Sequence, residues 1–565
     1  MNNPTPAIVA QSAVRRLPRW AMALFVLAYV MPGFWGREPW KTIDMGSLGI
    51  MLDLAQGRAD WWAPSFMGLA PEAPALLPYW LGAWVLILLP SSWDAAIVSR
   101  LPYMVMLAMT LACTWKAIES LAMSPQAQPV AFAFGGEARR DDYARVMADA
   151  GLLALMACLG LAQASHEVTP MAAQLCMTSL VFMGLAGLMR PNTSRAYALA
   201  LGLGLLGLML CGAPTLSLLL GGCSSIAIAL APELRRRKGW WIPILLGMIG
   251  LIGVAQSLDL WQFSWRGLPA DDRQWGSWMR LWMWFSWPAW PLVLWSLWVW
   301  RQAWCTRQPA RHVLVPLIML VPLSIGTLLS HQSDRIVLLT LPFMAGLAAF
   351  ALPTLRRSVS ALIDWFTLIF FSGSALIIWL VWLAGMTGWP AQPAANVTRL
   401  LPGLDWRYSH GVFSLALVAT LTWVALVVWR VGRHRSALWK SLVLPASGAT
   451  LCWLLLMTLW MPMLDMARGY APISRNVAAL MSHPHCAQVV GLSQAQMAAL
   501  RYHGKMELDL HGELACDWLV VGARSSAAFQ ASEASKGWRW VQNVRRPTDQ
   551  YENLVIFERT GGHRP

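Results

Sequence analysis

An all-α polytopic membrane domain followed by a small α/β domain is the fold class that the sequence predicts, on three observations. Of 565 residues, 57% are hydrophobic and only 13% charged, a balance foreign to soluble multidomain chains. The apolar residues gather into runs near the ~20 residues needed to cross ~30 Å of hydrocarbon. From about residue 465 this texture gives way to short alternating and periodic patterns.

Apolar runs at roughly 18–34, 94–117, 146–164, 171–189, 195–212, 214–231, 240–258, 281–300, 312–330, 336–353, 361–386, 410–429 and 441–461 predict about thirteen transmembrane helices. The Arg-rich start and apolar core of the first run resemble a secretory signal. No small-residue cleavage site follows, so an uncleaved helix is expected. Between the runs stand "RRLPR" (15–19), "RR" (139–140), "RRRK" (235–238), "RR" (356–357) and "RVGRHR" (430–435). A cytoplasmic N-terminus puts every one of these clusters inside. "ALLPYWLGAWVLILLP" (75–90) is short and opens on prolines and aromatics, so it reads as an interfacial helix. The first external loop then spans about 35–93, long enough to be a functional element.

The division is a membrane domain over 1–464 and an external domain over 465–565. In the latter, "CAQVVGL" (486–492), "DWLVVGAR" (517–524), "RWVQNV" (539–544) and "NLVIFER" (553–559) read as strands. Ser493 and Gln496 have capping-box spacing at the head of a helix over 493–504. Cys486 and Cys516 fall in this domain, and their spacing leaves a disulfide open. The other seven cysteines lie in or beside apolar runs as small fillers. Many of the 36 tryptophans flank the runs, where indoles anchor helices at the headgroups. The net charge of +15 punctuates the runs and does not form one soluble basic face, so nucleic acid is not an expected partner.

"GLGLLG" (202–207) fits a dinucleotide-binding pattern by its letters, but it lies inside an apolar run with no strand before it; close helix packing explains it better. Charge collects instead in "GREPWKTIDMGSLGIM" (36–51), at the mouth of the first helix. There Asp44 is followed by Gly57, Asp60, Trp61, Pro64, Glu72, Pro74, Tyr79 and Trp80, then by Arg100 and Pro102. A later patch reads "SHQSDRIVLLTLPFMAGLAA" (330–349). In order and spacing these motifs resemble the GT-C glycosyltransferases, in the branch of protein O-mannosyltransferases and lipid A aminoarabinose transferases, with Arg335 at the basic position of the later patch. The likeness extends over nearly the whole chain. It departs at Met45, where the branch has a second acid, at Ile336, where it has Tyr, and at Glu72, one residue further from its Tyr-Trp than usual.

The resemblance implies a GT-C membrane domain and an enzyme of the bacterial inner membrane, with its C-terminal domain in the periplasm. The implied reaction transfers a sugar from a polyprenyl (undecaprenyl) phosphate carrier to lipid A, another glycolipid or a protein. A phosphate leaving group needs no general acid, so the chemistry asks for acceptor orientation and an anion clamp. Asp44 and Glu72 are the expected catalytic carboxylates. Arg37, Glu38, Lys41, Tyr79, Arg100, His331 and Arg335 are expected around the substrates, the cations on the lipid phosphate. A divalent metal is left open, and no organic cofactor is implied. His166, Glu167, Asp271 and Asp272 read as solvated residues of external turns. Two other classes stay open. A lipid-linked glycan transporter would carry midplane charges, which the runs lack; a glycan polymerase or ligase would carry a larger late loop than 388–410.

Overall fold

The computed structural model describes residues 5–190, 194–230, 241–261, 267–269, 271–304, 310–330, 333–432, 437–481, 486–546 and 552–560. Among the described residues six helices are long and apolar enough to cross a membrane: Ala95–Ala122 (interrupted at Ser99–Arg100), Pro170–Leu188, Arg311–Leu329, Ser333–Thr354, Arg357–Thr387 and His410–Arg430. Lys440–Leu456 and Met461–Arg468, bent by 73°, make a seventh if taken as one span. Shorter apolar helices of 10–17 residues include Arg19–Val30, Arg195–Leu210 and Pro214–Leu230, so the expected figure of thirteen crossings is not reproduced by length and composition alone.

Helices Pro170–Leu188 and Ser333–Thr354 form the centre, with 83% and 89% of their apolar windows buried; Arg357–Thr387 and His410–Arg430 lie at the periphery, at 22% and 11%. Small residues let neighbouring helices touch. A Cβ on Gly204 would stand 2.7 Å from the Val181 side chain and 3.0 Å from the Met177 carbonyl, and one on Gly207 would overlap the Met177 sulfur, so these two glycines serve close packing, whereas Gly202 is exposed and a Cβ there would touch nothing. The run at 281–300 is two helices, Asp272–Phe285 and Ala289–Val299. Pro288, which has no N–H to donate, stands at the break.

The first loop folds on the rim of this bundle. It contains the helix Lys41–Ala55 and the interfacial-type helix Leu77–Leu88, which buries Tyr79 and Ala83 and exposes Trp84, Ile87 and Leu88. Beyond the bundle a five-stranded mixed sheet has the order β2-β1-β3-β5-β4, with β1 Cys486–Val490, β2 Glu507–Asp509, β3 Trp518–Gly522, β4 Trp538–Val544 and β5 Leu554–Arg559. Strand β1 runs parallel to β2 and β3, and β5 antiparallel to β3 and β4. The short β2 has no hydrophobic alternation to announce it. Cys486 and Cys516 are joined in a disulfide, which pins the head of β1 to the loop before β3. The helix Gln494–His503 opens on the Ser493/Gln496 capping box and packs against Lys41–Ala55.

Candidate active site

Helix Lys41–Ala55 starts after Trp40, whose extended backbone turns its N–H onto the Asp44 carboxylate one turn later (Oδ2, 2.9 Å). An acid in the first turn also complements the positive end of the helix. Asp44 is buried, and two further donors fix it. The Arg37 guanidinium donates to Oδ2 at 2.7 Å, and the Val168 N–H to Oδ1 at 3.1 Å. Arg37 in turn donates to the carbonyls of Gly33 (2.8 Å) and His166 (3.0 Å), while Arg100, itself buried, donates to the Arg37 carbonyl.

This bracket rests on an aromatic bed. His166 is packed among Tyr29, Phe34 and Trp453, with ring centroids 4.7–5.7 Å away. Burial pushes its imidazole down to about 4, so it is neutral near pH 7. Gly33 crosses the same bed at φ +92°, and a Cβ there would meet Trp453 at 2.5 Å. His166 is therefore a structural residue, not the solvated one expected from its turn.

Asp44 faces a cavity of about 210 Å³. Trp40 and Phe285 supply apolar wall, and Glu167 and Asp334 stand with Asp44 as carboxylates. Two guanidiniums, Arg335 and Arg468, complete the lining. Trp40 lies between Arg37 and Arg468, whose guanidinium carbons are 4.6 Å and 5.3 Å from its ring, and its indole N–H donates to Asp465 at 2.7 Å. These contacts hold an aromatic face at the cavity wall. Glu167, read from the sequence as solvated, lines the same cavity. Burial raises its carboxyl above the usual range, the Gln163 amide (2.9 Å) opposes this, and the charge of Asp44 adds to it.

The structure thus brings Asp44 and Arg335 together and keeps several other expected residues apart from them. Glu72 is exposed, outside the cavity lining, with its backbone N–H on Gln494 (3.3 Å). Glu38 pairs with Arg475 at 2.9 Å and lies 3.6 Å from His503, tying the loop to the C-terminal domain. Tyr79 is buried, its hydroxyl on the Ala73 carbonyl at 2.6 Å. Arg37 and Arg100 are spent on holding Asp44 and its loop. Lys41 opens the helix, but its side chain and all of His331 lie outside the described residues. Arg468 was not anticipated; its "DMARGYAP" context sits more than 400 residues from Asp44 and has no periodicity to mark it. Among the described residues no three His, Cys, Asp or Glu side chains are grouped as a metal site.

No protein-family model matches the chain, and no curated protein does. Solved structures do. Over 95% of its length the chain matches ArnT from Cupriavidus metallidurans in the apo state, with a TM-score of 0.59, 14% identity and 96% of that protein covered. It also matches ArnT from the same organism bound to undecaprenyl phosphate, at 0.60, 13% and 97%. The chain has the GT-C fold of these proteins, small C-terminal domain included.

Proposed function

We propose that this protein is a glycosyltransferase of the bacterial inner membrane that moves a sugar from undecaprenyl phosphate, or a similar polyprenyl phosphate, to lipid A or a related envelope acceptor on the periplasmic side. The observation that carries this reading is the cavity at the bundle rim that the Asp44 carboxylate lines together with the guanidiniums of Arg335 and Arg468. A neighbour of the same fold binds undecaprenyl phosphate. The proposed orientation places this cavity and the domain over 465–565 in the periplasm, with the N-terminus of the 1–464 domain in the cytoplasm.

In the proposed reaction an acceptor oxygen bonds to the anomeric carbon as the bond from that carbon to the phosphate oxygen breaks. The electron pair leaves with the polyprenyl phosphate, whose charge Arg335 and Arg468 stabilise as it develops. Three donors already hold Asp44, and the carboxylate keeps lone-pair capacity on Oδ1. It can accept the proton of an acceptor hydroxyl, or orient an acceptor phosphate that has none to give. The arrangement supplies orientation and charge, which are what this leaving group requires.

Mass spectrometry of lipid A from cells with and without the gene tests the acceptor: a mass increase equal to one sugar residue is expected only with the gene. Identical spectra would overturn lipid A as acceptor. Proteoliposomes loaded with the polyprenyl-phosphate sugar test the class, since carrier movement with no glycosidic bond would favour a transporter.

A further inference from the structure

A second polar cavity lies at the opposite end of the bundle. Helix Pro170–Leu188 reaches the first cavity through Met171 and this one just past its other end, through Arg190, which separates them by about 28 Å of helix. Its volume is about 270 Å³. Five cations face it (Arg16, Arg19, Lys116, Arg145 and Arg190) against two carboxylates, Glu119 and Asp141. Three of the cations have acidic partners within the protein: Arg16 lies 2.6 Å from Asp142, Arg145 lies 3.4 Å from Asp149, and Lys116 is bonded to Glu119. Among the described residues Arg19 and Arg190 form no ion pair.

An adjoining recess shares Met123 and Arg190 with this cavity and adds Arg140 and Arg311 to its wall. Ser120 and Ser124 line it, 2% and 7% exposed, and neither hydroxyl has a hydrogen-bond partner. The recess is small, about 20 Å³, and opens beside Arg190, so a ligand oxygen seated at its mouth would give these buried hydroxyls the partner that the protein does not. The outer side is apolar. Helix Arg19–Val30 begins at the cavity and exposes Trp20, Leu24 and Leu27 to the lipid.

We propose that this is a binding site for the headgroup of an anionic phospholipid. The phosphodiester lies between Arg19 and Arg190, its oxygens reach Ser120 and Ser124, and an acyl chain runs along Trp20 and Leu24. Basic pockets between transmembrane helices recognise such headgroups, and each cation adds to the attraction. A free phosphate ion would match the cations and hydroxyls but would leave the apolar strip without a role. The site is remote from Asp44, so it stands whatever reaction occurs there.

The full-length protein in detergent, titrated with dioleoyl phosphatidylglycerol or dioleoyl phosphatidylcholine and read by native mass spectrometry, tests the proposal. Phosphatidylglycerol is expected to bind at least tenfold more tightly than phosphatidylcholine. The double variant R19Q/R190Q is expected to lose roughly twenty-five-fold in that affinity, about fivefold per charge. Arg301 is exposed at the same end of the bundle but outside the cavity, and R301Q is expected to stay within twofold. The variant S120A/S124A, which changes no charge, is expected to weaken binding severalfold. Equal affinity for the two lipids, or an equal loss in R301Q, would overturn the proposal. Displacement of the lipid by millimolar inorganic phosphate alone would overturn it too, and would assign the site to a free anion.

Discussion

Asp44 and Asp53 stand on one helix, about two and a half turns apart and so on opposite faces, both almost fully buried and both paired with arginine. Their partners differ in kind. Asp44 is held by Arg37 and two backbone N–H groups from its own rim, and it still faces a cavity. Asp53 is closed off by Arg501 of the C-terminal domain (2.8 Å), Arg58 (3.1 Å) and the Met67 N–H (3.1 Å). One carboxylate is fixed and open; the other fastens the loop to the domain above it. Burial and charge pairing are common to both; the open wall is what sets Asp44 apart as the proposed reacting group.

The sharpest test of that difference is Asp44→Asn. Transfer is expected to fall by about a thousandfold or more, as when a fixed charge at a reacting centre is lost. The variant also leaves Arg37 buried beside a neutral group, which costs about 3 kcal/mol. Adding Arg37→Met removes that uncompensated charge but leaves the Gly33 and His166 carbonyls without their donor, so it should recover only part of the stability and none of the activity; assays of transfer and thermal unfolding on both variants separate the roles. Wild-type turnover by Asp44→Asn would erase the distinction between the two aspartates.

The matching change at the clasp, Asp53→Asn, should leave transfer within about threefold while lowering stability by about 2 kcal/mol. The figure lies below that for a fully buried pair because Arg501 and Arg58 are 25% and 45% exposed and can turn to water. Denaturation with a probe in the C-terminal domain checks it. A loss of activity equal to that of Asp44→Asn would place the chemistry on the wrong face of the helix.

Much of the fold was legible because lipid imposes a simple code. Length and apolarity marked most of the helices, and the capping box at Ser493 marked the helix that docks on Lys41–Ala55. The break at Pro288 and the strand Glu507–Asp509 were not, since a short interruption and a three-residue strand leave little periodicity. Motif order singled out Asp44 and Arg335, and the structure places both on the wall of one cavity, the proposed site. Arg468 was missed, and Glu167 was read as solvated, for a different reason: neither has a local pattern, and only the packing of the 165–170 turn on Arg37 and Asp44 and of the 461–468 helix on Trp40 brings them to the cavity. Glu38 and Arg37 were expected around the substrates as charged neighbours in one loop; the structure places both outside the cavity lining, Arg37 on Asp44 and Glu38 on Arg475.

Arg468→Gln sharpens the comparison from the cavity side. It removes one of the two guanidiniums that line the cavity with Asp44 and should raise the KM for the lipid donor about tenfold, the loss of roughly one charge-assisted contact, with little change in thermal stability. An effect on kcat alone would instead assign Arg468 to the transition state.

The smallest expected effect concerns Asp465, which accepts the Trp40 indole N–H and the Glu38 backbone N–H between the two regions. Burial raises its carboxyl to about 7, the Trp40 bond opposing and the charge of Glu38 adding to the rise. A carboxyl raised in the folded state binds a proton that the unfolded chain has released, so its contribution to stability falls as pH climbs from about 4 to about 7 and is level above that. Asp465→Asn cannot titrate but keeps an oxygen for the indole. The stability of the wild type relative to this variant should therefore drop by about 1 kcal/mol between pH 6 and pH 8. A pH-independent difference would mean that the carboxylate is already ionised at neutral pH, and that the link between Trp40 and the 461–468 helix is a fixed ion-dipole contact, as permanent as the one at Asp53.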